Sequence, residues 1–182
     1  MPCESFAQKR IVEVTEAYVE PWLRGTLTEV DAVRRQVLHT FELAEDDMEK
    51  WCAGLSDAEV NARPFEIAPV TFHLRHIAGS LDRLLTYLEG RQLTEEQLKT
   101  MRGELSAGGS MAEVMRIFKE GLASARRRVL LISPGSYEEA RGVGRKMLPT
   151  TVGALLVHCA DHTHRHVGQA VTTAKVVVAM RH

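Results

Sequence analysis

The chain has 182 residues, with 23 Lys and Arg against 24 Asp and Glu and a formal net charge of -1. That length suits one domain with a sizeable core and is short for two, while the balanced charge leaves no electrostatic footprint for nucleic acid. No run of about 18 apolar residues occurs and the first ten residues lack the apolar stretch of a signal peptide, so the expectation is no membrane insertion and, by default, a cytoplasmic protein.

Gly and Pro cluster at four joints, Pro21–Gly25, Arg63–Pro69, Gly103–Ser110 and Ser133–Pro149. Between them apolar residues recur at three and four, the period of a helix, and nowhere is the alternation of a strand sustained. Before Gly25, the loosely periodic Ile11, Val14, Val19 and Trp22 admit an extra N-terminal helix. The first long helix is expected to start near Thr28, capped within Thr28-Glu29-Val30-Asp31, and to carry Val33, Val37, Leu38, Phe41 and Ala44 before Trp51. Ser56-Asp57-Ala58-Glu59 is a capping-box pattern for a short connecting helix. The second long helix follows Pro69 and stops at Gly90; its stripe of Val70, Leu74, Ile77, Leu81, Leu84 and Leu88 has the four-three spacing of a helix packed in a bundle. A third begins at a second capping-box pattern, Ser110-Met111-Ala112-Glu113, carries Val114, Phe118, Leu122, Ala125 and Val129, and ends before Pro134-Gly135. The last runs from Pro149-Thr150-Thr151 to about Met180. These segments predict an all-α protein, an antiparallel four-helix bundle with short connecting helices, its core spanning about 28–180 of a single domain over 1–182.

Four of the eight histidines fall within His158–Gln169 of the last helix, and His158, His162 and His166 recur every four residues. Residues four apart share a helix face, about 5–6 Å apart at Cβ, so two imidazoles so spaced can converge on one metal ion. Val152, Leu155, Cys159, Ala170, Thr173 and Val177 define the inward stripe; His162 and His166 lie within it, His158 lies at its edge with Arg165 and Gln169, and His164 points away. A third ligand belongs on a facing helix, and the second long helix offers His73 and His76. Periodicity makes His73 the more buried of the two. His76 shares a polar edge with Ser80 and Arg83, which suits the mouth of a cleft better. Arg83 and Arg165 could approach the same cleft and hold a substrate carboxylate. The three cysteines are odd in number and lack CxxC spacing, which argues against disulfides and a cysteine-rich zinc site; Cys159 reads as a small buried residue, with a reactive thiol or extra ligand as the alternative. The Glu-x-x-His pairs of di-iron bundles and the HExxH of zinc proteases are both absent.

The stretch HLRHIAGSLDRLLTYLEG from His73, together with HTHRHVGQA from His162 and the SDAE helix before them, resembles the DinB-like superfamily of metal-binding four-helix bundles over about residues 28–180. The resemblance implies a divalent metal (Zn, Ni or Fe) on His76, which precedes Ile77-Ala78, and on His162 and His166, with Gly168-Gln169 behind them; His73 and His158 are the alternates. It also implies chemistry in which such an ion activates a low-molecular-weight thiol for transfer or isomerisation of a small-molecule substrate; three imidazoles with an open position would equally let the ion activate a water for hydrolysis, and Ser80, Arg83, Arg165 and Gln169 are the pocket candidates by helical position. Catalytic residues are not assigned. Relatives of this kind often form homodimers, and Trp22 and Trp51 offer apolar surface for one unless both indoles pack in the chain's own core. A stress-related metal-binding protein with a non-catalytic site, or a metal-free helical interaction module, are the other function classes the sequence admits.

Overall fold

The computed structural model describes residues 18–106 and 108–181. Its elements are helices α1 (Ala32–Trp51), α2 (Asp57–Val60), α3 (Val70–Leu88), α4 (Glu95–Gly103), α5 (Met111–Leu130) and α6 (Val152–Ala179), with a hairpin of β1 (Ala140–Val143) and β2 (Leu148–Thr151) before α6. The expected long helices are the four longest of these. Ile11 and Val14 of the expected N-terminal helix lie outside the described residues; Trp22 sits in a single 3-10 turn, Pro21–Leu23.

Side-chain chemistry at the helix ends sets the boundaries. α1 starts at Ala32, later than Thr28, because Asp31 accepts from the backbone N–H groups of Val33 and Arg34 and so satisfies donors that the first turn leaves free. Ser56 and Glu59 close a reciprocal capping box on α2. At α5 only half of the expected box forms: Ser110 accepts from the Glu113 N–H, but the Glu113 carboxylate is drawn 2.9 Å from Arg75 on α3. α4, which periodicity did not mark out, starts at a full Thr94/Gln97 box. The hairpin corrects the expectation of no strands. Its two strands have four residues each, paired from Ala140↔Thr151 to Val143↔Leu148, too short for a readable alternation, and the turn between them holds Gly144 and Met147 at left-handed φ of 71° and 49°.

The bundle core is apolar and continuous. Phe41, Leu38 and Met48 of α1 bury fully with Leu74, Ile77, Leu81 and Leu85 of α3, Phe118 and Leu122 of α5, and Leu156 of α6. Each such side chain contributes about 1.5–3 kcal/mol of transfer free energy. In cross-section each long helix has two neighbours. Contacts of Ala68 with Thr173 and His76 with His162 make α3 antiparallel to α6, and those of Glu42 with Arg126 and Glu49 with Lys119 make α1 antiparallel to α5. α3 and α5 run in the same direction, from the Arg75–Glu113 pair to the Asp82–Arg128 pair. Parallel neighbours cannot be joined by a tight turn, so the chain between them returns along the length of the bundle. That return carries α4.

Among the described residues no helix is long and apolar enough to cross a membrane. Neither tryptophan packs in the core: Trp22 is 53% exposed and Trp51 38%, the latter with Lys50 and Lys175 over its ring.

Candidate metal centre

Helical phase brings three imidazoles from two helices to one point. His76 stands on α3, and His162 and His166 stand one turn apart on the facing side of α6. One nitrogen from each ring lies within 4.8 Å of the others. His76 Nε2 and His162 Nε2 are 3.1 Å apart, and the His166 ring centre is 4.4 Å from that of His76 and 4.6 Å from that of His162. Two bonds of about 2.0–2.1 Å to a tetrahedral ion separate their nitrogens by about 3.3–3.4 Å. Spacing and an all-imidazole donor set therefore fit a divalent ion such as zinc, nickel or iron.

The far sides of two of these rings are also engaged. His76 Nδ1 lies 2.6 Å from Glu104 Oε2, and Glu104 is only 4% exposed. Burial alone would push that carboxyl up, yet the hydrogen bonds from His76 and from Arg83 hold it below the usual carboxylate range. A carboxylate only accepts, so His76 Nδ1 donates to it, and Nε2 is the ring atom left facing His162. Arg83, itself buried, donates to both Glu104 oxygens at 2.5 and 3.3 Å and to Ser80 Oγ at 3.0 Å. Ser80 Oγ in turn lies 3.2 Å from His76 Nε2. On the other side, His166 Nδ1 is 3.1 Å from Nδ1 of His73, which is 4% exposed. Phe72 stacks on His76, centroids 5.1 Å apart, and meets His166 edge-on.

Burial, and after it the charge of neighbouring imidazoles, depresses the pKa of His73, His162 and His166 to about 4 each. The rings are therefore neutral at physiological pH, the form that ligates metal. Gly79 makes room for the whole arrangement. A Cβ there would overlap the Glu104 carboxylate and stand 2.8 Å from Arg83 Nη1. The crossover that delivers Glu104 buries no residue of α4 and is pinned to α3 by Gln97, which donates to Asp82 at 2.6 Å and Thr86 at 2.9 Å.

A family model described as the DinB superfamily matches residues 40–170, a span that takes in α3, the crossover and all three converging histidines. The chain belongs to the DinB superfamily. No curated protein and no solved structure matches it.

Within this DinB fold the remaining candidate residues divide. Ser80 and Arg83 line a recess of about 190 Å³ with Leu84, Tyr87, Leu93 and Met101, whereas Arg165 and Gln169 line a larger one of about 450 Å³ with His73 and Gly168. The two arginines expected in one cleft therefore flank the histidines from opposite sides, and Arg83 is already neutralised by Glu104. His158 is half exposed at the smaller recess, its ring 5.5 Å from that of His162 and its Nδ1 3.6 Å from Asp161. Cys159 is fully buried and its thiol is pushed up to about 12 by burial, so it is an inert core residue. His164 is exposed, as its phase requires. Glu104 and Phe72 were missed in the sequence. For Glu104 one signal exists: Gly79 in the middle of a helical stripe costs about 1 kcal/mol against Ala, which points to something approaching closely there.

Proposed function

We propose that this DinB-superfamily protein is a metal-dependent enzyme acting on small molecules, with one divalent ion held by His76, His162 and His166. The observation that carries the reading is the pairing of three converging imidazoles with a buried carboxylate on the back of one of them. A core histidine needs only a hydrogen-bond partner, whereas an oriented Nδ1–H with Nε2 turned toward two other imidazoles is the arrangement that metal-ligating histidines have.

When bound, such an ion supplies Lewis acidity that brings the pKa of a coordinated water or thiol toward neutrality. The chain's residues do the rest. Glu104 fixes the tautomer and plane of His76, and Arg83 keeps Glu104 ionised. His73 holds the His166 ring by its Nδ1. Phe72 shields both rings from bulk water. A low-molecular-weight thiol as the activated nucleophile, delivered to a small electrophile, is the reaction that the family resemblance implies, and the two recesses beside the histidines give room for small reactants.

The test is metal analysis of untagged protein alongside His76→Ala, His162→Ala and His166→Ala. One ion per chain is expected in the parent and none in the variants, with helix content retained. Equal metal content in all four proteins would refute the site.

A further inference from the structure

The larger recess has features that the metal site does not require. It lies between the turn leading into α3 (Ile67, Ala68, His73) and one face of α6 (Arg165, Gly168, Gln169, Thr172). Its two threonine hydroxyls are already used: Thr172 donates to the Gly168 carbonyl at 2.8 Å, and Thr173 to that of Ala68 at 3.3 Å. The Gln169 side-chain amide has no hydrogen-bond partner among the described residues, nor has His73 Nε2. The one formal charge in the lining is Arg165. Its partner there is Asp161 on the same helix at 2.7 Å, both side chains more than half exposed, an i,i+4 pair worth only about 0.3–0.5 kcal/mol. A ligand anion can take its place at little cost.

Two further choices of sequence cost stability at this recess. Gly168 lies inside a 28-residue helix, where glycine loses about 0.5–1 kcal/mol against alanine. No described atom lies within 4 Å of where its Cβ would be, so packing does not demand glycine. Its effect is to keep the wall of the recess flat. Immediately before Ile67, Phe65 and Glu66 both adopt left-handed backbone, φ 50° and 64°, at about 1–2 kcal/mol each for residues with a Cβ. They lead directly into Ile67, which lines the recess and is 39% exposed. Residues held in such conformations cluster at ligand clamps.

We infer that this recess binds a small carboxylate with an apolar body, the carboxylate held by Arg165 and Gln169 and the body lying over Gly168 against Ile67. Through His73 and His166 it is one ring removed from the metal centre, which makes it the seat of a reactant. Only that last step rests on the proposed function, since binding itself needs no ion.

Phenylacetate is a suitable probe and phenylacetamide its uncharged counterpart, titrated into the full chain and followed by amide chemical shifts. Saturable shifts at Gly168 and Gln169 are expected with phenylacetate, at least tenfold weaker with phenylacetamide and in Arg165→Met. Gly168→Leu should abolish binding while raising the thermal midpoint and leaving metal content unchanged. The inference is overturned if phenylacetate gives no saturable shift, if Gly168→Leu binds it as well as the parent, or if the shifts fall on Leu93 and Met101 of the smaller recess. A parent protein without metal that still binds the probe would sink the metal reading and leave this one standing.

Discussion

Replacing Glu104 by alanine should be among the most damaging single changes in the chain, although the residue lies in a connecting segment. The side chains of Glu104 and Arg83 are 4% and 9% exposed, and two guanidinium nitrogens reach the carboxylate at 2.5 and 3.3 Å. Removing the carboxylate strands a buried cation, and breaking a buried pair from one side costs about 3–5 kcal/mol. For a chain of this size each kcal/mol moves the midpoint by about 2–4 °C, so thermal unfolding of chelator-treated protein should fall by roughly 6–20 °C. Arg83→Met alone leaves the carboxylate with His76 as its remaining partner and should also destabilise. The double variant Arg83→Met/Glu104→Ala removes both charges and should recover much of the loss, giving a coupling energy that a double-mutant cycle reads directly. Metal affinity, followed by chelator competition, should weaken about 10–100-fold in Glu104→Ala because His76 loses its orienting partner. A loss below about 1 kcal/mol, or a double variant no more stable than Glu104→Ala, would refute the account of Glu104 as a buried counter-ion.

The metal-free protein should lose stability between pH 6.5 and 4, because the unfolded chain protonates its histidines near pH 6.5 while His73, His162 and His166 stay neutral in the fold down to about pH 4. His73 alone accounts for about 2 kcal/mol between pH 7 and pH 5, so urea midpoints should fall over that range and fall less in His73→Phe; a flat profile would contradict the depressed values. Gly121→Val should destabilise by about 1–3 kcal/mol, since a Cβ at 121 would stand 2.9 Å from the Ala78 Cα and force α5 from α3 two residues beyond His76, an effect that calorimetry and metal affinity would both register. His164→Ala should change neither metal content nor midpoint measurably, as that ring is exposed on the opposite face of α6; loss of the ion there would mean the helix phase is wrong.

What the sequence disclosed is what repeats along one helix. The stripe from Val70 to Leu88 and the His162/His166 interval are both local periodicities, so the long helices and two of the converging rings could be read without coordinates. The choice between His73 and His76 shows where locality stops. Periodicity ranked His73 as the more buried, and it is, but burial does not decide which ring turns inward to the cluster; that depends on partners brought from elsewhere. Glu104 is 28 residues from His76, and nothing in Arg102-Gly103-Glu104 announces a buried anion. The hairpin escaped notice because Ala140–Val143 and Leu148–Thr151 are too short for a pattern, and the division of the expected cleft into two recesses follows from the antiparallel alignment of α3 with α6, which is a property of the pair and of neither strip of sequence.

The parallel alignment of α3 and α5 makes the crossover a strap laid along the outside of the bundle, with Glu104 as its buckle. None of α4's own residues is buried, so the strap draws its protection from solvent exchange from that buckle and from the Gln97 contacts, and not from the bundle's apolar interior. An ion on the histidines would strengthen the His76–Glu104 bond, already 2.6 Å long, and so hold the strap more firmly. Amide exchange across α4 would then report on an ion that no residue of α4 touches, while exchange in the buried turns of α5 stays unmoved.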